Sequence, residues 1–61
     1  MSDLLNTAQA AHYLSLRPAT LEHWRMTRNG PPFVRVGPRI VRYRRTDLDV
    51  WIESCVETRN S

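Results

Sequence analysis

Proline and glycine interrupt this sequence in three places, and the interruptions leave little choice of fold. Pro18 stands alone, Asn29-Gly30-Pro31-Pro32 is a strong break, and Gly37-Pro38 is another. Proline lacks the N–H that a helix interior or a central strand needs, and its pairing with glycine favours turns. Across 61 residues the breaks mark out a helical front, a short strand pair and a helical end. A chain of this length buries only about 60% of its unfolded surface. The expectation is one small domain over residues 1–61, with little core in which to build a deep enzyme pocket.

Local signals place the elements. Asn6 followed by Gln9 has capping-box spacing, so a first helix is expected over 7–14. Ala11 and Leu14 lie on its apolar stripe. Pro18 suits the first position of a second helix, where its missing N–H has no partner to lose. That helix is expected over 18–28, with Leu21, Trp24 and Arg28 on one face. Only Ser15, Leu16 and Arg17 separate the two helices. So short a link forces a sharp corner, the helix-turn-helix geometry.

After the Gly-Pro-Pro break, Val34 and Val36 alternate with Arg35, then Val41 and Tyr43 alternate with Arg42. This is the period-2 pattern of strands with one buried face, and the four residues between them suit a hairpin over 33–43. Leu48, Trp51, Ile52 and Cys55 follow helical spacing in a last helix expected over 46–58. Thr46, Asp47 and Asp49 bring acceptors and negative charge to its first turn, which the helix dipole favours. The fold class is mainly α with a small β-hairpin: a winged helix-turn-helix of three helices and a two-stranded wing.

The charge follows this organisation. All nine basic residues are arginine, against six acids, for a net charge of +3. Residues 17–45 hold eight arginines against Glu22, a net of +7, whereas 46–61 hold four acids against Arg59, a net of −3. Eight arginines in one short segment repel each other unless a polyanion approaches. Arginine's planar fork suits phosphate and guanine. A helix after a tight turn enters a major groove, and a basic hairpin follows the backbone or reaches into a minor groove. The candidate DNA-binding residues are Arg17, Thr20, Glu22, His23, Arg25, Arg28, Arg35, Arg39, Arg42 and Arg44, with Arg45 beside them. Arg17 and Thr20 suit backbone contacts, Glu22 and His23 suit bases, and Arg39 at the loop tip suits minor-groove insertion. Glu22 reads equally well as an exposed partner of Arg25.

Other functions find less support. Trp24, Trp51 and Tyr43 resemble stacking platforms for single strands, but they sit on apolar stripes that read as core. His12, His23 and Cys55 have no zinc-ligand spacing, and the lone cysteine cannot pair internally. No nucleophile–base set, phosphate-cradling glycine loop or pair of catalytic carboxylates is visible. The expectation is a non-enzyme without metal or cofactor. No apolar run approaches the length of a membrane span and no signal-peptide pattern opens the chain, so a cytoplasmic setting is expected. A protein-interaction module that offers its basic face to an acidic partner is the remaining alternative class.

The runs Leu5-Asn-Thr-Ala-Gln-Ala-Ala-His-Tyr-Leu14, Thr20-Leu21, Trp24-Arg25, Gly30-Pro-Pro-Phe-Val-Arg-Val-Gly-Pro-Arg39, Val41-Arg-Tyr-Arg-Arg-Thr-Asp-Leu48 and Trp51-Ile52 together resemble excisionase-type winged helix-turn-helix proteins. These belong to the broader MerR-like group, which includes AlpA-type regulators. The resemblance covers roughly residues 4–53 and rests on the order and spacing of the runs. It implies a recombination directionality factor of a mobile element. Such a protein binds and bends DNA beside attachment sites and turns an integrase, a tyrosine recombinase, toward excision. It also implies promoter control in many members, leaving a plain transcriptional regulator as the alternative. Small size and opposite charges at centre and tail add the expectation of head-to-tail self-association on DNA. The corner departs from the family pattern: Ser15-Leu16-Arg17 stands where glycine, a hydrophobic residue and serine are usual.

Overall fold

The computed structural model describes residues 3–57. Six elements follow in order: β1 (Leu4–Leu5), α1 (Thr7–Tyr13), α2 (Pro18–Thr27), β2 (Val34–Gly37), β3 (Ile40–Arg44) and α3 (Arg45–Cys55). They form the expected winged helix-turn-helix, with three helices and a small antiparallel sheet.

The capping box at the start of α1 is complete. The Gln9 N–H donates to Asn6 Oδ1 at 2.7 Å, and the Asn6 N–H donates to Gln9 Oε1 at 2.9 Å. Both α1 and α2 end in the same way. At the end of α1, Ser15 adopts φ 60°. Its N–H donates to the His12 carbonyl at 3.0 Å, and the Leu16 N–H donates to the Ala11 carbonyl at 2.7 Å. At the end of α2, Arg28 adopts φ 61°. The Asn29 N–H donates to the Trp24 carbonyl at 2.8 Å, and the Arg28 N–H donates to that of Arg25 at 3.4 Å. Each pair is a Schellman closure with a non-glycine residue in the left-handed position. This is why α1 stops at Tyr13 and α2 at Thr27, one residue short of their expected ends.

The corner has little capping. Arg17 supplies no side-chain cap to α2, and Pro18 occupies its first turn. Ala10 and Ala11 of α1 are fully buried, and their small side chains let α2 approach closely. Leu21, Tyr43 and Leu48 complete the buried core, with Leu5, Leu14, Leu16, Trp24, Phe33 and Val41 packed around it.

The sheet has three strands in the order β1-β3-β2 rather than the two expected. Leu4 pairs with Arg44, Leu5 with Tyr43, and the Arg45 N–H donates to the Asp3 carbonyl at 2.9 Å. Two residues are too few to display an alternating pattern, so β1 leaves no sequence signature. The wing covers 34–44 instead of 33–43. Gly37 pairs with Ile40, shortening the loop to Pro38 and Arg39, and the register shifts between Arg35 and Gly37.

That register overturns the expected faces of β2. Arg35 lies opposite Val41 and Val34 opposite Arg42. Directly opposed residues share a face, so Arg35 shares the face of Val41 and Val34 that of Arg42, yet Arg35 is exposed and Val34 half-buried. Val36 is 53% exposed. The wing projects beyond the small core, and apolar alternation there does not report burial.

Helix α3 starts at Arg45, one residue early, and ends at Cys55. The helix thus stops short of its expected end at Thr58, because Val56 is already extended; Thr58 and Arg59 themselves lie outside the described residues. Leu48 reaches the core, while Trp51 and Ile52 are half-buried. Trp51 meets Trp24 with ring centroids 5.7 Å apart, tilted by 54°. Cys55, expected on the apolar stripe, is exposed because the stripe outruns the core. The Tyr13 hydroxyl donates to Asp49 Oδ1 and ties α1 to α3. Hydrogen bonding to this carboxylate stabilises the neutral phenol and raises its pKa; Arg45 opposes the shift.

Gly30 is needed at its position. It adopts φ +81°, and a Cβ there would lie 2.6 Å from Trp24 Cε3. Opposite outcomes follow for two substitutions in left-handed sites. Ser15→Gly removes a left-handed penalty and should raise stability by about 0.5–1 kcal/mol. Gly30→Ala adds that penalty and a clash, and should lower stability by about 2 kcal/mol or more. Thermal unfolding, at about 4–8 °C per kcal/mol for a domain of this size, resolves both changes; equal effects of one sign would contradict the assignment.

Candidate nucleic-acid interface

The outward side of α2 is set by what its inward side must bury. Leu21 fills the core, which turns Ala19, Glu22, His23 and Met26 to solvent; Met26 is 83% exposed. Arg17 is exposed at the corner and Thr20 is half-buried beside it. The arrangement presents short and polar side chains to a groove without obstruction, as a recognition helix requires.

Arg25 has a different setting from the exposed phosphate ligand expected. It is half-buried, and its Nη1 donates to the Tyr43 hydroxyl at 2.9 Å and to Thr7 Oγ1 at 3.1 Å. Its guanidinium carbon also lies 5.9 Å from the centre of the Phe33 ring. One side chain thus joins the start of α1, the recognition helix, the lead-in to the wing and the central strand. These partners explain how an arginine sits this close to a small core: both Nη1 donors are used and its cationic face lies on an aromatic ring.

The remaining arginines divide into three groups. Arg28 and Arg35 line an open groove of about 460 Å³ between the end of α2 and the wing, together with Arg25, Asn29, Phe33 and the turn of Gly30, Pro31 and Pro32. Arg35 lies 5.8 Å from the Phe33 ring centre. Arg39 is exposed in the two-residue loop at the wing tip. Arg42 and Arg44 occupy the outer face of the sheet, where Arg42 Nη1 donates to the Val41 carbonyl at 2.9 Å. The ten candidates therefore do not form a single patch.

Arg44 needs correction as a free cation. Its Nε donates to Asp47 Oδ2 at 2.8 Å and its Nη2 to Oδ1 at 3.2 Å. This two-pronged pair raises the arginine's pKa further, through the hydrogen bond first and then the charge. It also places Asp47 in the first turn of α3, where the dipole favours a carboxylate. The i,i+3 spacing across the strand–helix junction was the signal for it. Among the described residues no other arginine forms a salt bridge with a carboxylate.

Three contributors were hidden from sequence reasoning. Thr7 and Tyr43 read as a helix start and a core aromatic, yet both hold Arg25. Phe33 reads as a strand residue and carries two guanidinium groups. The alternation of Phe33 with Arg35 was the available clue, although it does not reveal Arg25. Asn6 Oδ1 is occupied by the Gln9 N–H, as a helix cap. Among the described residues no cluster of three or more His, Cys, Asp or Glu could hold a metal ion, and no helix is long and apolar enough to cross a membrane.

A corner between two helices, an unobstructed second helix and a basic hairpin define a DNA-binding winged helix-turn-helix. The comparison with known families agrees: the model described as "Helix-turn-helix domain" matches residues 4–56. The chain belongs to this helix-turn-helix family, which includes excisionase-like DNA-binding proteins, and membership indicates DNA binding. No curated protein matches it.

The corner yields a test in which stability and binding move oppositely. Arg17→Ser restores a side-chain cap and should raise stability by about 1 kcal/mol. Removing one phosphate contact should make the slope of log affinity against log salt less negative by about 0.9. Thermal unfolding and duplex titration over several salt concentrations measure the two effects. An unchanged salt slope would remove Arg17 from the DNA interface.

Proposed function

We propose that this chain is a sequence-specific, DNA-bending excisionase: a recombination directionality factor that directs an integrase toward excision of a mobile element. The observation that carries the DNA-binding part is the pairing of an unobstructed recognition helix with arginines that have no carboxylate partner, Arg28 and Arg35 in the groove and Arg39 at the wing tip. Membership of a family with excisionase-like members supports the recombination part. In this account Glu22 and His23 sample bases, Arg17 and Thr20 contact backbone, and Arg39 enters the minor groove. The protein performs no chemistry. Its work is to shape DNA for a tyrosine recombinase in the bacterial cytoplasm, at the nucleoid, and it controls promoters with the same surface.

Copies of the chain associate head-to-tail on adjacent sites. Helix α3 and the two residues after it expose Val50 and Val56 beside Asp49, Glu53 and Glu57, and the wing tip exposes Val36 and Ile40 beside Arg39. Opposite charges with apolar centres support a contact that repeats along a duplex.

Excision of a marked element by a cognate tyrosine recombinase tests the proposal. Adding the chain should stimulate excision, and Arg39→Ala should weaken duplex affinity by about tenfold and reduce bending. Promoter repression without stimulation of excision would assign the chain to transcriptional regulators instead. Duplex bending that survives Arg39→Ala unchanged would contradict the wing assignment.

A further inference from the structure

The groove between α2 and the wing has three guanidinium groups and no acidic lining residue. Arg44 shows the alternative in the same molecule, because its charge is answered by Asp47. The groove's charges are answered by nothing within the described chain. Two of the three are also held in place. Arg28 stands at the left-handed closure of α2. Arg35 shares the face of Val41 by its register and rests over Phe33. Arg25 forms the wall, with Nη1 held by Tyr43 and Thr7. Asn29 Nδ2 donates to Thr27 Oγ1 at 3.0 Å, leaving Arg28 and Arg35 as the two forks open to a ligand.

Position supplies the rest. A recognition helix in a major groove and a wing in the adjacent minor groove are separated by one phosphate backbone. That backbone must cross the surface between α2 and β2, where this groove lies. Its volume of about 460 Å³ falls within the roughly 300–1,000 Å³ of ligand-sized sites and admits a phosphodiester with its flanking sugars. Resting on the DNA-binding reading above, we infer that the groove seats a single backbone phosphodiester, gripped jointly by Arg28 and Arg35. The seat sets the spacing between the major-groove and minor-groove contacts.

Joint grip of one phosphate has a signature that independent contacts lack. Each neutralised phosphate contributes about −0.9 to the slope of log affinity against log salt. Duplex titrations of the full chain are compared for Arg28→Gln, Arg35→Gln and the double variant, with thermal unfolding as a folding control. The double change should make the slope less negative by about 0.9, and each single change by no more than that. A double variant that shifts the slope by about 1.8 assigns two separate phosphates and overturns the inference, as does a slope unchanged in all three. Arg28→Asn, which tolerates the left-handed conformation, replaces Arg28→Gln if that variant fails to fold. Absence of duplex binding by the unsubstituted chain would overturn the DNA-binding reading itself, and the inference with it.

Discussion

Two protons on one nitrogen of Arg25 join three parts of this chain that also meet in its small core. One goes to Tyr43 on the central strand and one to Thr7 at the start of α1. The same guanidinium rests over Phe33, whose ring lies 6.1 Å from that of Tyr43. A winged helix-turn-helix reads DNA only if its helix and its wing keep a set spacing, and among the described residues the buried hydrophobic core consists of five side chains. With a total stability of roughly 0.05–0.15 kcal/mol per residue, so small a core leaves room for a polar contact to matter to the hairpin's placement. The polar bridge is such a contact. Tyr43 is 1% exposed, so an unpartnered hydroxyl there would carry a desolvation cost.

The charge distribution follows from this framework. A net +7 over residues 17–45 appears as a single basic block in sequence. The fold parts it into a bridge at Arg25, a groove pair at Arg28 and Arg35, a tip at Arg39 and an outer face at Arg42 and Arg44. These groups do different work. Arg44 is neutralised locally and fastens the sheet to α3, whereas the groove pair and the tip remain available to a polyanion. Arg25 lies between the two roles, with its hydrogen bonds used inside the protein and its charge still bordering the groove.

Much of this was legible from local rules. The capping box at Asn6, the corner at Ser15-Leu16-Arg17 and the start of α2 at Pro18 are local signals, and local signals survive folding. What escaped the sequence depends on pairing across the chain. Strand β1 exists because Asp3, Leu4 and Leu5 find a partner edge in β3. Arg35 shares the face of Val41 because its register places it there, against the pattern of its valine neighbours. The roles of Thr7 and Tyr43 could not be read, because nothing in either neighbourhood points to a residue 18 positions away. Cys55 was misplaced for a simpler reason: a helical stripe continues past the end of what it has to cover.

The central claim is that Arg25 acts through its geometry, as the bridge that fixes helix and wing into one DNA-reading surface. Arg25→Lys tests it most directly, because lysine keeps the charge and loses the planar fork and its stacking. The account predicts a melting temperature lower by about 4–8 °C for each kcal/mol lost, together with weaker duplex binding at an unchanged salt slope. Retention of both stability and affinity by the lysine variant would show that a positive charge is all this position requires, and would contradict the account.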